Sequence, residues 1–190
     1  FDAGPISDVL DLSDLLVGYT GASDQVGARL LQPSSHVLIE DCVFRGYAVN
    51  LVFQGFGGRH SDFTLRRSII VDAWSTPDTG HSQGLYAYAV DGLLVEENVF
   101  DHNGWSEAVP GGVPTMFNHN LYIDNDNTGV VVRGNVIANA ASHGLQLRPG
   151  GVCVDNLFVR NSIGLQVGGG KHPRPRGGVP AGDQNQSMVG

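Results

Sequence analysis

The sequence contains little positive charge. Of its 190 residues only 11 are Lys or Arg, against 19 Asp or Glu, which gives a formal net charge of −8 at pH 7. Proteins that bind nucleic acid present a basic face to the phosphates, so this balance argues against a nucleic-acid partner. Charged residues make up only 16% of the chain. Long solvated helices and coiled coils need far more Glu, Lys and Ala, so both are excluded as well.

Long apolar runs and a cysteine framework are also missing. No apolar stretch approaches the roughly 18 residues of a membrane-spanning helix, so we expect no membrane span. Two cysteines are too few for the disulfide framework of a small secreted domain. The sequence starts at Phe1 without a signal peptide. We expect it to be a fragment of a longer protein, whose location a missing targeting signal does not reveal.

Glycine and internal repetition are what the chain has in abundance. Glycine accounts for 27 of the 190 residues, about twice its usual share. Five segments share apolar residues followed by a small polar residue and two more apolar residues. Their small polar residues are Cys42, Ser68, Asn98, Asn135 and Asn156. A second set of short apolar segments alternates with the first around a Gly or Asn. Its central residues are Asn50, Gly84, Asn120, Gly144 and Gly164.

The spacing of these repeats indicates a solenoid with two short strands in each repeat. The small polar residues lie 26, 30, 37 and 21 residues apart, and a stacked coil tolerates such variation because insertions project outward. Helical periodicity is absent, and few Asn-Gly or Asp-Gly turns favour hairpins. The chain resembles a right-handed, single-stranded parallel β-helix of the pectate-lyase-like superfamily. The resemblance covers residues 36–170 and implies an all-β fold of about five to six coils.

In such a coil, equivalent positions stack about 4.8 Å apart. The resemblance implies that Asn98, Asn135 and Asn156 form an interior ladder of side-chain amides. Cys42 and Cys153 would then lie on the order of 19 Å apart, beyond the reach of a disulfide. The outward column two positions before the ladder has alternating charges, which should pair across strands. Its members are Glu40, Arg66, Glu96 and Arg133.

The repeats divide the chain into three segments. Residues 1–35 are less regular, and we predict an irregular N-terminal segment or a partial first coil. Residues 36–170 contain the coils. Residues 171–190 are rich in Gly and Pro, which is typical of a loop, and they would form that loop or the start of a further coil.

Two consecutive coils carry long insertions at the same corner. Counted from the ladder to the second column, the five spacers are 8, 16, 22, 9 and 8 residues long, so the two long ones should form a wall beside a flat sheet. The loops contain Trp74, Trp105 and His81. Aromatic rings beside a polar groove suit the C–H faces of sugars, so these three residues are candidate substrate contacts. Tryptophans that merely pin the loops to the coil are the alternative.

The sheet beside this wall gathers chemically active side chains. Leucines that point inward send their neighbours outward, because side chains alternate along a strand. The outward or corner residues of the central strands are Tyr86, Tyr88, His119, Tyr122, Asp124, His143, Gln146 and Arg148. A face built for stability alone needs no such set of histidines, tyrosines and arginine, so we predict a carbohydrate-active surface.

The resemblance implies a polysaccharide-degrading enzyme, and we interpret it first as a lyase acting on an acidic, uronate-containing glycan. β-Elimination needs a base for the C5 proton, a group that neutralises the carboxylate and an acid for the leaving oxygen. His119 or His143 is the candidate base and Tyr122 the candidate acid. Arg148 and Gln146 would bind the carboxylate. Further substrate contacts would come from Tyr86, Tyr88 and Asp124. Histidines turned inward onto the backbone are the structural alternative.

Other interpretations stay open. A glycoside hydrolase or uronate C5-epimerase on the same fold is the second, since residues 142–144 (SHG) are similar to the Gly-His-Gly element of polygalacturonase-type hydrolases. The paired aspartates of those hydrolases are missing. A non-catalytic glycan-binding or surface β-helix protein is the third. Only the resemblance implies a secreted or periplasmic location.

No metal or cofactor is predicted, although one segment has the opening of a calcium loop. Residues 124–129 read DNDNTG, but Asn135 stands at the twelfth position, where such a loop requires Glu. A polar turn is the preferred interpretation, and calcium stays the alternative.

Overall fold

The computed structural model describes residues 25–77, 80–169 and 187–190, and the backbone of three short strands before residue 25. Within the described residues, twenty strands form three parallel sheets, named A, B and C. Sheet A consists of β1 (Asp2–Ala3), β4 (Val26–Leu30), β7 (Val49–Gln54), β10 (Gln83–Tyr88), β13 (His119–Ile123), β16 (His143–Leu147) and β19 (Ile163–Val167). Sheet B consists of β2 (Leu10–Asp11), β5 (Ser35–Glu40), β8 (His60–Arg66), β11 (Val90–Glu96), β14 (Val131–Arg133), β17 (Gly151–Val154) and β20 (Ser187–Val189). Sheet C consists of β3 (Leu16–Gly18), β6 (Val43–Arg45), β9 (Ile69–Val71), β12 (Val99–Asp101), β15 (Val136–Ala138) and β18 (Leu157–Val159).

The chain runs from sheet A to sheet B to sheet C in every coil, and each strand pairs in parallel with the strand one coil away. This is a single-stranded parallel β-helix, and the predicted fold class is confirmed. In the part of the chain that the structure describes, six coils contribute a strand to all three sheets. The prediction of two strands in each repeat was wrong, because each segment of the first repeat set contains a strand of sheet B and a strand of sheet C.

The turn between sheets B and C is so short that the sequence gives no sign of a break between the two strands. It has two residues in each of the five coils where the structure describes it, for example residues 97–98 between β11 and β12. The first residue of the turn has a positive φ, between 47° and 64°, and this left-handed conformation bends the chain sharply. The residues at this position are Asp41, Arg67, Glu97, Gly134 and Asp155.

The second residue of the same turn forms the predicted interior ladder. The backbone N–H of Ser68 donates to Asn98 Oδ1 at 2.9 Å, and that of Asn98 donates to Asn135 Oδ1 at 2.9 Å. The backbone N–H of Asn135 donates to Asn156 Oδ1 at 3.0 Å. Ser68 Oγ continues the ladder by accepting from the backbone N–H of Cys42 at 3.1 Å. Each side chain therefore satisfies a buried backbone donor of the preceding coil.

A second amide ladder, absent from the predictions, lies where sheet C turns into sheet A. Asn50 Nδ2 donates to Asn103 Oδ1 at 3.1 Å, and Asn103 Nδ2 donates to Asn120 Oδ1 at 2.7 Å. Asn103 comes from the long loop after β12 and fits beside Gly84, where a Cβ would lie 2.9 Å from its Nδ2. Glycine at position 84 thus makes room for an asparagine that the loop supplies.

Aliphatic and aromatic side chains fill the interior between the sheets. The largest fully buried ones include Phe44, Phe53, Phe63 and Phe100, and burial of this apolar surface is the main force holding the coils together. Cys42 and Cys153 are buried and free, as expected.

Alternating charges stack on the outer face of sheet B, as predicted. Arg66 Nε lies 2.7 Å from Glu40 Oε1, and its Nη1 lies 4.0 Å from Glu96 Oε1. Arg133 Nε donates to Glu96 Oε2 at 2.8 Å. Each carboxylate therefore faces a guanidinium on the neighbouring strand, which is the favourable cross-strand arrangement.

The three-segment division of the chain stays a prediction. Strands β1 to β4 fall within residues 1–35 and pair with strands of the following coil. The Gly/Pro-rich segment falls mostly on residues 170–186, which lie outside the described residues. After it, β20 pairs with β17.

Because His60 is buried, we expect the free energy of unfolding to fall in acid. Its side chain is fully buried, Nε2 lies 3.2 Å from the Leu30 carbonyl, and burial lowers its pKa below 6.5. The stabilisation is complete above pH 6.5 and declines as the pH falls toward the folded-state pKa, because the unfolded chain binds the proton more readily. We expect His60→Gln to lessen the fall in unfolding free energy between pH 7 and pH 5, by at most about 1.4 kcal/mol per pH unit. Urea denaturation at both pH values measures it. An equal fall in unfolding free energy in the wild type and in His60→Gln would contradict the prediction. His36→Gln, at an exposed histidine, is the control and should behave like the wild type.

Candidate functional site

The outer face of sheet A places most of the predicted residues side by side. Tyr86, Tyr122 and Gln146 occupy one column in register on β10, β13 and β16. Asp124 and Arg148 follow the ends of β13 and β16, where the backbone N–H of Arg148 donates to Ile123 O at 3.0 Å. The column positions predicted for these residues are therefore those of the structure.

Two histidines meet at the other end of the same strands. His119 begins β13 and His143 begins β16. Their Nδ1 atoms are 3.2 Å apart, their ring centroids are 4.9 Å apart, and Ser142 Oγ lies 2.9 Å from His143 Nδ1. A hydrogen bond between two ring nitrogens needs one N–H and one lone pair. The pair therefore holds at least one neutral imidazole.

Burial keeps both histidines neutral near pH 7. Burial is the main reason why the pKa of His119 falls to about 3, and the nearby charges of His143, Arg148 and His81 lower it further. Burial also lowers the pKa of His143, against a hydrogen bond with the Gln166 side chain that raises it. A neutral imidazole has a lone pair with which to accept a proton.

Tyr122 lies between the histidines and the charged end of the face. Its ring contacts His119 edge-on, with centroids 5.4 Å apart, and Arg148 Cζ lies 4.8 Å from the centroid of the Tyr122 ring. Burial first, and then the charge of Asp124, raise the pKa of Tyr122, while Arg148 lowers it. The phenol therefore keeps its proton near neutral pH. We call His119, His143, Tyr122 and Arg148 the reaction cluster.

Polar side chains surround the reaction cluster. The Tyr86 hydroxyl donates to Asp124 Oδ2 at 3.3 Å, and burial is the main reason why the pKa of Tyr86 is raised. Gln146 Nε2 donates to Gln166 Oε1 at 3.5 Å. Arg148 Nε is buried without a hydrogen-bond partner among the described residues. Tyr88, at the end of β10, lies half-buried beside this group.

The three predicted loop residues, Trp74, Trp105 and His81, do not form one group, and only His81 is related to the reaction cluster. Trp105 Nε1 donates to Asn139 O at 3.0 Å, and its ring packs edge-on against His102 near the end of sheet C, with centroids 4.3 Å apart. Trp74 is held by its backbone N–H, which donates to Tyr47 O at 3.1 Å. His81 is the predicted loop residue whose charge acts on His119.

The calcium-like segment after β13 forms hydrogen bonds both to the neighbouring coil and within itself. Asn127 Oδ1 accepts from the backbone N–H of Val90 at 3.0 Å, and its Nδ2 donates to Ala87 O at 2.9 Å. The backbone N–H of Asn125 donates to Asp124 Oδ1 at 2.6 Å. Over the described ranges, no three His, Cys, Asp or Glu side chains are grouped to hold a metal ion. Calcium binding stays an untested alternative.

Comparison with known proteins supports the fold. Residues 22–177 match the family model described as "Right handed beta helix region". Searches of curated proteins and of solved structures gave no match. The part of the chain that the structure describes contains no helix long and apolar enough to cross a membrane. With most of its length matched to the model, the chain belongs to the right-handed beta helix family.

Proposed function

We propose that the protein is a pectate-lyase-like polysaccharide lyase that cleaves an acidic, uronate-containing glycan along the outer face of sheet A. The observation that carries the proposal is the reaction cluster. It combines a buried pair of neutral histidines, a protonated tyrosine and an arginine on neighbouring strands. β-Elimination needs a base, an acid and a group that neutralises a carboxylate, and the cluster contains all three.

His119 is the base in this proposal. The hydrogen bond that raises the pKa of His143 is the one expected when an imidazole N–H donates to the amide oxygen of Gln166. The single lone pair on His143 Nδ1 then accepts from His119 Nδ1, and the Ser142 hydroxyl lies 2.9 Å from the same nitrogen. His119 Nε2 is left with a lone pair and no hydrogen-bond partner among the described residues. That atom would accept the C5 proton.

The low pKa of His119 favours an anionic substrate. An imidazole with a pKa of about 3 is a weak base in the free protein. A carboxylate bound beside it would raise that pKa, since a neighbouring negative charge stabilises the imidazolium. The substrate would therefore strengthen its own base, and a neutral glycan would not.

Tyr122 is the acid that completes the elimination. As the C5–H bond breaks toward His119, the C4–O bond breaks and a C4–C5 double bond forms. The leaving oxygen takes the phenolic proton of Tyr122, which its raised pKa keeps in place until that step. The imidazolium and phenolate then return to neutrality by net transfer of the proton from His119 to Tyr122.

Arg148 and Gln146 are the proposed carboxylate contacts. Arg148 lies against Tyr122 and has an unpartnered Nε, and Gln146 is in register with Tyr122 on the next strand. A guanidinium suits a carboxylate because it donates two parallel hydrogen bonds. Because the net charge of the chain is −8, the protein as a whole repels a polyanion, and the attraction must come from local contacts of this kind. The proposal includes a secreted or periplasmic location, because that is where a protein would meet a polysaccharide of this class.

A hydrolase receives less support from the same face. Inverting hydrolysis uses two carboxyl groups about 6.5–9.5 Å apart. Among the described residues, Asp124 is the carboxylate whose charge acts on Tyr122, and it already accepts a hydrogen bond from Tyr86.

The proposal is tested by incubating the protein with a panel of uronate polymers and following the ultraviolet absorbance of the unsaturated product. We expect that absorbance to rise with uronans and to stay flat with neutral glycans. New reducing ends without absorbance would show a hydrolase instead. Glycan binding without either product would indicate a non-catalytic glycan-binding protein instead.

A further inference from the structure

An exposed aromatic stack stands where the two long loops rejoin sheet A. The rings of His81 and Phe117 are parallel to within 9°, with centroids 5.1 Å apart. Phe117 is 53% exposed, which is unusual for a side chain of this size and apolarity. His81 was a predicted substrate contact, whereas Phe117 was not predicted, since no repeat aligns with the loop that carries it.

The stack is anchored firmly to both loops. Asn118, directly after Phe117, is buried and its Nδ2 donates to Gly104 O at 2.7 Å. Its Oδ1 accepts from the backbone N–H of Ser82, the residue after His81, at 2.9 Å. Gln83 Nε2 donates to Phe117 O at 3.2 Å. Asn118 therefore joins the two loops beside the rings and fixes their position.

The stack also borders the reaction cluster. His81 lies two residues before Gln83, which pairs with His119 on the next strand. The charge of His81 contributes to the low pKa of His119. A ligand held on the Phe117 ring would consequently reach the strands that carry the histidine pair.

We propose that Phe117, backed by His81, is a stacking surface for one sugar ring of the acidic glycan. This inference rests on the proposed function and names a substrate-positioning residue for it. The flat C–H face of a pyranose covers an aromatic ring, and His81 keeps that ring from turning away. The exposed imidazole of His81 offers its ring nitrogens to the hydroxyl and carboxylate groups at the edge of the sugar.

The test compares Phe117→Ala and Phe117→Tyr with the wild type on uronate oligosaccharides of increasing length. Aromatic stacking contributes about 0.5–1.5 kcal/mol, so we expect Phe117→Ala to raise KM, and the calorimetric Kd, by about 2-fold to 12-fold. The value of kcat should change less than about 2-fold, because the ring does not touch the reacting atoms. Phe117→Tyr should restore binding. Phe56→Ala, at another phenylalanine that is 49% exposed, is the matched control and should leave KM unchanged.

The possible failures are distinguishable. If the wild type turns over the substrate and Phe117→Ala has an unchanged KM, the proposed stacking surface is wrong and the proposed lyase activity is retained. Glycan binding that Phe117→Ala weakens, without turnover, would support the stacking surface and overturn the lyase. Wild-type protein that neither binds nor cleaves uronans would overturn both. An unchanged Kd with loss of a dimer in sedimentation velocity would overturn the inference by showing that the ring contacts a second copy of the chain.

Discussion

Substituting Asn for His119 should lower kcat on a uronan by about 10²–10⁴-fold, the usual contribution of a general base. Asparagine places an N–H where Nδ1 of the imidazole stands, so the contact with His143 is retained while the Nε2 lone pair is lost. The fold should persist, because the ladders and core are untouched. The rate of ultraviolet absorbance at saturating substrate measures the effect.

His102→Asn provides the matched control for that experiment. His102 is a half-buried histidine outside the reaction cluster, and it lies beside Asp72 near the end of sheet C, with Nδ1 2.9 Å from Asp72 Oδ1. Its replacement should leave kcat within about 2-fold of the wild type, far from the 10²-fold loss that removing a base causes. A His119→Asn protein with normal kcat would remove His119 from the mechanism and return the role of base to His143.

Truncating Asn98 to Ala should cost about 3 kcal/mol or more of unfolding free energy, since several buried hydrogen bonds lose a partner at once. Asn98 Oδ1 accepts from the backbone N–H of Ser68, and Nδ2 donates to Leu65 O at 2.9 Å and to Asn135 Oδ1 at 3.0 Å. Each partner is buried away from water. Denaturant unfolding at pH 7 measures the change.

Asn98→Ser is the control for that variant, because serine already occupies this position at residue 68. There Ser68 Oγ accepts the backbone N–H of Cys42 at 3.1 Å. We therefore expect Asn98→Ser to recover part of the loss by keeping an acceptor for the preceding coil. A loss below about 1 kcal/mol for Asn98→Ala, the contribution of a single ordinary hydrogen bond, would show that the ladder adds little to the stability that apolar burial provides.

The sequence was sufficient for the parts of the fold that repeat. The ladder residues, the charges around Glu96 and the leucines of sheet A recur at equivalent positions, and stacking turns that recurrence into contact. The division of each first-set segment into two strands was missed because a two-residue turn with one left-handed residue looks continuous in sequence. Left-handed Glu97 carries no signal of its conformation, whereas Gly134 at the equivalent position does.

The site was only partly predictable for a physical reason. Alternation along β13 and β16 indicates which residues face outward, so the grouping of Tyr122, Gln146 and Arg148 followed from the pattern. The direct contact between His119 and His143 depends on side-chain rotamers, which aligned sequence positions do not specify. Asn103 and Phe117 belong to inserted loops that align with nothing else in the chain.

The charge column on sheet B constrains how the protein could be shortened or lengthened. Glu40, Arg66 and Glu96 alternate because each belongs to a successive coil. Excising the coil that contains Arg66 would seat Glu40 directly against Glu96, and two carboxylates in that position repel each other. Coils are therefore best removed or duplicated in pairs, because an even number of coils keeps each carboxylate of this column next to a guanidinium.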